Sequence, residues 1–153
     1  HSPAGGCVIA VTADYRVMAE GEKYRIGLNE VPVGIIPSTG IFHLYAQLIG
    51  KRLATQFLME GKLHSPQKAL EIGLVDEICP LEEVLERTEA KMQKWLKADD
   101  ATIRGAKFNI RQFLIKRVAR DFEEMVEGAN AHWWKPESRA VMQGIIEGLT
   151  KGK

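Results

Sequence analysis

Cysteine is scarce: Cys7 and Cys79 are the two in 153 residues. Their spacing makes neither a zinc-ligand set nor a disulfide framework, so a reducing compartment is the default. No apolar run approaches the ~18 residues of a membrane span, and no signal-peptide pattern is present. Charge of one sign is lacking too: 21 Lys and Arg stand against 20 Asp and Glu. That balance gives no global pull toward nucleic acid or acidic membranes. The four histidines, His1, His43, His64 and His132, form no ligand-like pair such as HExxH. P-loop, GxGxxG and Ser-His-Asp arrangements are missing, as are repeats, low-complexity stretches and linkers. What is present is 45% hydrophobic and 27% charged residues. That composition and length suit one globular domain with a real core.

Strand signals come early and helix signals late. Gly5-Gly6 leads into Cys7-Val8-Ile9-Ala10-Val11, whose β-branched run favours a strand, with a helix as the alternative. Asp14 to Met18 and Tyr24 to Leu28 alternate as half-buried strands do, with a turn at Ala19 to Glu22. The prolines in Val31 to Pro37 predict loop or extended chain. Helices are expected at Ile41–Ile49, Lys51–Met59, and from Ser65-Pro66 to near Gly73. Leu74 to Cys79 reads as a strand, followed by helices from Pro80 to about Lys97, from Asp99 or Asp100 toward Arg120, from Asp121 to Trp133, and from Pro136 to Leu149. The chain opens without an initiator methionine and enters structured sequence almost at once, as a piece of a longer domain would.

Few residues carry a chemical signal by themselves. Glycines ahead of a helix leave backbone N–H groups free for an anion or a developing oxyanion, though Ala4-Gly5-Gly6 also reads as a plain turn. Glu30 follows a strand and sits among Leu28, Val31, Val33, Ile35 and Ile36; burial there would lift its pKa toward that of a general base. Most glutamates, however, are simply solvated. His43 and His64 fit packing or helix-end roles, and Ser38 fits a helix cap. Arg104, Lys107, Arg111, Lys116, Arg117 and Arg120 make a basic helix that could meet phosphates or RNA. The apolar face of that helix and the acids after it favour a solvated surface instead. Trp133-Trp134 suggests a core or subunit-contact pair.

Taken in order, these motifs resemble the enoyl-CoA hydratase/isomerase (crotonase) superfamily. The resemblance runs through AGGCVIAVTADYRVMAEGEKYRIGLNEVPVGIIPSTG and LIGKRLATQFLMEGKLHSPQKALEIGLVDEICP, covering residues 3 to 80 well and the helical tail in pattern only. It implies an α/β fold: the C-terminal half of a ββα spiral over residues 1–80, then a C-terminal helical trimerisation region over 81–153. Roughly a hundred further residues would precede it in a complete family domain. Those would bring most of the CoA-binding surface and a second oxyanion donor.

The resemblance also implies roles. Gly5 matches one oxyanion-hole amide, and Glu30 matches the family's later glutamate. The earlier glutamate of hydratases falls on Val8, and the acid that dienoyl-CoA isomerases place eight residues on falls on Ser38. Val8 and Ser38 would then border the substrate pocket without titrating. The wording Gly27-Leu28-Asn29-Glu30 is similar to that of mitochondrial-type Δ3,Δ2-enoyl-CoA isomerases, where Asn29 would lie against substrate and Glu30 would be the sole acid/base. The implied substrate is an acyl-CoA in fatty-acid oxidation, with no metal and no cofactor beyond the coenzyme A thioester. The implied assembly is a homotrimer or hexamer, in the bacterial cytoplasm or mitochondrial matrix, without membrane or nucleic-acid partners. Two other readings stay open: a hydratase-like acyl-CoA enzyme using an acid from elsewhere, and a non-catalytic crotonase-like binding subunit.

Overall fold

A computed structural model describes residues 1–120 and 122–151. Its organising feature is two pairs of short parallel strands. Ser2–Pro3 (β1) pairs with Ile26–Gly27 (β3), and Val17–Ala19 (β2) pairs with Glu77–Cys79 (β4). Parallel neighbours cannot be joined by a hairpin and need a crossover, usually helical. That requirement corrects the strand expected at Cys7 to Val11: Gly5–Thr12 is a helix, α1. Cys7 and Val11, one turn apart, are its buried pair, while Ile9 on the other face is 74% exposed. The β-branched content was overridden by topology.

The other strands are shorter than their alternating patterns suggest. Ala13, Asp14 and Tyr15 form a bend and Arg16 follows it before β2, Ala19 belongs to the strand rather than the turn, and Leu74 to Asp76 precede β4. Arg16 explains the trimming. Its backbone N–H and its guanidinium both donate to Asp76 Oδ2, at 2.8 and 2.7 Å, and its Nη1 donates to the Ala13 carbonyl at 2.7 Å. This buried arginine therefore ties the end of α1 to the start of both strands, setting their register with side-chain bonds. Val31 to Pro37 is also corrected: Val31–Val33 makes a single 3-10 turn, which accepts Pro32 because the first residues of a turn need no N–H partner.

The helices fall where caps predict. Ser38 caps Thr39–Ile49 (α2) by accepting from Ile41 N at 3.2 Å, and Ser65 caps Pro66–Glu71 (α4) the same way from Lys68 N. Lys51–Glu60 (α3) ends at Gly61 in the left-handed conformation. After β4 a 3-10 turn at Leu81–Glu83 delays the next helix, Val84–Trp95 (α5), so it neither starts at Pro80 nor reaches Lys97. Asp100–Arg120 (α6), Phe122–Trp133 (α7) and Pro136–Lys151 (α8) complete the tail; Asp121, the expected start of α7, lies outside the described residues.

The core is local to the first half: Cys7, Val11, Met18, Ile26, Leu28, Tyr45, Ile49, Ala54, Phe57 and Leu74 pack together between α1, β3, α2 and α3. His64 is buried there against the Phe57 ring at 4.5 Å, a packing role. In the tail the balance reverses. Phe108, Ile110, Phe113, Phe122 and Trp134 are all more than half exposed, so Trp134 is not a core residue. The total accessible area is 10289 Å², against about 7,800 Å² for a compact chain of this mass. On the basic side of α6 Arg104 pairs with Asp100, Lys107 and Arg111 both reach Asp14, and Arg104, Lys107, Lys116 and Arg117 are exposed.

Gly61 gives the fold a testable joint. At φ +61° a Cβ would be strained, and it would drive into the Pro32 ring just after Glu30. In the full-length protein Gly61→Ala should lower stability by about 1–3 kcal/mol, read from the urea midpoint. Gly5→Ala, which points a Cβ into open space, should stay within about 0.5 kcal/mol. Equal midpoints for the two variants would rule this joint out.

Candidate active site

Glu30 leaves β3 and opens the 3-10 turn, and its backbone carbonyl accepts from Val33 N at 3.1 Å and Ile35 N at 3.0 Å. Gly61 packs beneath the same turn, with Asn29 Cα and the Pro32 ring as its neighbours. The side chain is thus held on a short, doubly bonded loop. Glu30 is only 6% exposed, and its Oε2 has no hydrogen-bond partner among the described residues; neither does Oδ1 of Asn29. Burial is the main influence on the carboxyl and raises its pKa above the ordinary carboxylate value, with an opposing pull from its own backbone amide.

Two neighbours, which sequence motifs did not single out, share this environment. The Cys7 thiol is pushed up to about 12, first by burial and then by the negative charge of Glu30. The Tyr45 phenol, on α2, is raised by burial and then by Cys7 and Glu30. Both groups hold their protons at neutral pH. Glu30 is the carboxyl of this buried trio, its pKa raised by the same burial. Tyr45 and Ile49 do show as an i, i+4 apolar pair, but nothing in that spacing points to a carboxylate.

The helix end arrives from the neighbouring strand. Ala4 joins β1 to α1 at φ 47°, ψ −114°, a backbone conformation that L-residues rarely adopt. It is held there by donating to the Gly27 carbonyl at 2.9 Å while its own carbonyl accepts from Val8 N at 2.9 Å. Gly5 follows as the first helical residue, exposed, with nothing within 4 Å of where a Cβ would stand. First-turn amides have no intrahelical acceptor and carry the positive end of the helix dipole. Because β1 and β3 are parallel neighbours, their C-terminal ends lie side by side, with this donor-rich turn following one and Glu30 three residues beyond the other. Ligands of α/β sheets characteristically bind at that edge.

Val8 is half-buried and packs on the core one turn into α1. Ser38 is half-buried and its hydroxyl is engaged as the cap of α2. Two surface hollows of about 680 and 660 Å³ lie elsewhere, the first lined by Glu20, Arg25 and Gln67 and the second by Leu44, Leu48, Trp95 and Ile110. Neither has Glu30 in its wall. Among the described residues no three His, Cys, Asp or Glu side chains converge as a metal site would require, and no helix is long and apolar enough to cross a membrane.

Residues 1–143 match the family model for enoyl-CoA hydratase/isomerase. The chain belongs to that family. Among curated relatives, the mitochondrial enoyl-CoA delta isomerase 1 of rat is 41% identical over 152 residues and that of mouse 34%; each match covers 99% of this chain and 53% of the relative. The chain therefore spans about half the length of these relatives. The crystal structure of human mitochondrial delta3-delta2-enoyl-CoA isomerase superposes with a TM-score of 0.93 at 31% identity, over 99% of this chain and 58% of that one. A carnitinyl-CoA hydratase from Mycobacterium avium shares the fold, with a TM-score of 0.83 at 18% identity over 96% and 57% of the two chains. The α/β architecture with its helical tail is accordingly the crotonase fold of this enoyl-CoA hydratase/isomerase family.

A buried carboxyl with a raised pKa has a consequence for stability. The folded state favours the protonated form, so folding is least penalised below the unfolded pKa and becomes costlier as pH rises through the folded value. Glu30→Gln removes that cost. Its melting temperature should exceed wild type at pH 7, and the gap should close at acid pH where Glu30 is protonated in both states. A lower melting temperature for Glu30→Gln at pH 7 would contradict this.

Proposed function

We propose that the protein containing this chain is a Δ3,Δ2-enoyl-CoA isomerase that shifts a 3-enoyl thioester to the 2-enoyl isomer in fatty-acid oxidation. The observation that carries this reading is the solitary carboxylate. Glu30 is buried, of raised pKa, and beside an open helix N-terminus, while the two positions where other crotonase-type enzymes place a second acid hold Val8 and Ser38. The likeness to mammalian enoyl-CoA delta isomerases supports the same choice.

The chemistry needs no second acid. The Glu30 carboxylate takes a proton from C2, and the electron pair moves into the thioester carbonyl, giving an enolate. The oxygen pair then restores the carbonyl, the C1=C2 pair becomes the C2=C3 double bond, and the pair of the old C3=C4 bond takes the proton back from Glu30 at C4. One base that reaches both carbons suffices. The Gly5 amide would face the enolate oxygen; a well-placed donor of this kind typically contributes about 3–4 kcal/mol. Asn29, adjacent to the base, would lie against the acyl chain. An apolar Val8 gives no group to activate water, so hydration does not compete. No metal and no cofactor besides the coenzyme A thioester enters these steps.

The remainder of the protein would complete the pocket and supply a second oxyanion donor. The exposed apolar residues of α6 to α8 fit a homotrimer or hexamer, which would bury them. We place the enzyme in the mitochondrial matrix or bacterial cytoplasm, as suits its resemblance to mitochondrial isomerases.

The test uses the full-length protein with 3-hexenoyl-CoA. Glu30→Gln should cut kcat/KM by about 10²–10⁴-fold. Wild-type kcat/KM should fall on the acid side with an apparent pKa above the ordinary carboxylate value, because the base must be ionised. Crotonyl-CoA should be hydrated far more slowly than 3-hexenoyl-CoA is isomerised. Isomerisation by Glu30→Gln near the wild-type rate would end the single-base mechanism, and comparable hydration would point to a hydratase.

A further inference from the structure

We propose that His132, together with Ser138, is a positioning residue for Glu30, so that the helical tail takes part in setting the base. This rests on Glu30 being the base, but its geometry is independent of the reaction. His132 lies in the last turn of α7, and its Nε2 stands 3.2 Å from the carbonyl oxygen of Gly34. A carbonyl can only accept, so Nε2 carries the hydrogen and donates it. Ser138 Oγ, 3.1 Å from the same nitrogen, then serves as a second acceptor. Ser138 is only 8% exposed, so this polar contact is shielded from water.

Gly34 is where such a grip matters. It closes the turn that begins at Glu30, its own N–H donating to Val31 O at 3.0 Å while the Glu30 carbonyl accepts from the residues on either side of it, Val33 and Ile35. It sits at φ +77°, and the Val141 side chain of α8 stands 3.5 Å from where a Cβ would be. Two more tail contacts reach the following residues: Thr39 N–H approaches Met125 Sδ at 3.3 Å, and Val118 packs on Gly40. The turn is therefore held by Gly61 on one side and by the tail on the other. His132 makes the directional contact among these, since packing fixes position but a hydrogen bond to Gly34 also fixes the plane of the peptide.

Three variants of the full-length protein test this: His132→Ala, His132→Gln, whose amide can still donate to Gly34, and Ser138→Ala. With 3-hexenoyl-CoA, His132→Ala should lower kcat about tenfold while KM stays within about twofold. His132→Gln should recover most of the loss, and Ser138→Ala should fall between wild type and His132→Ala. Amide hydrogen exchange at Val33 and Ile35 gives a readout that needs no activity. It should speed up in His132→Ala and return toward wild type in His132→Gln. Unchanged exchange in His132→Ala overturns the proposal whatever reaction the protein runs, as does a kcat loss that glutamine fails to rescue. Faster exchange in a protein that does not isomerise 3-hexenoyl-CoA would uphold the grip and reject the isomerase reading alone.

Discussion

The pairing of β1 with β3 is two residues long on each side, yet the site depends on it. Ser2 N–H donates to the Arg25 carbonyl at 2.7 Å and Ala4 N–H to the Gly27 carbonyl at 2.9 Å. Between them these bonds set where α1 begins relative to where β3 ends. Slide the pair by one residue and the open amides of the helix no longer stand beside the carboxylate. A ladder this short has little stability of its own. It persists because both elements leading from it are anchored elsewhere: α1 buries Cys7 and Val11 in the core, and Gly27 lies so close to the Lys62 carbonyl that no side chain fits between them.

The same closeness governs the electrostatics. Placing a carboxylate where water scarcely reaches is unfavourable, and here its nearest titratable neighbours are a thiol and a phenol that stay neutral. An arginine in their place would have stabilised Glu30 and lowered its basicity. The protein instead keeps the ion pair of the buried Arg16 with Asp76 at the far end of α1, where it orders strands. Charge pairing is used for architecture and withheld from the base. That separation is what allows a glutamate to hold protons more tightly than it would in water.

Much of this was legible in the chain itself. Ser38, Ser65 and Gly61 mark helix ends through local capping chemistry, which needs no tertiary information. Glu30 was visible through its apolar setting and the motif around it. The errors share a cause. Cys7 to Val11 has strand-like residues, but the parallel connection demands a helix; Asp14 to Arg16 alternates like a strand, but Arg16 spends its donors on Asp76 and Ala13. Cys7, Tyr45 and His132 lie far from Glu30 in sequence or carry no motif, so only the folded arrangement relates them to it. Trp134 shows the complementary limit, because a pattern of apolar residues does not reveal whether the surface that covers them belongs to the same chain.

Ala4 bears on how much freedom the site has. It has the smallest side chain of any chiral residue, touches no proposed reacting atom, and holds a torsion that typically costs about 1–3 kcal/mol. Glycine would accept that torsion without cost, but it would accept many others as well. The alanine methyl therefore acts as a stiffener: it removes the alternative directions in which the first helical amide could swing. Rigidity at the mouth of α1 is maintained through strain in a single small residue, without a clamp of larger side chains that would crowd the space in front of Gly5.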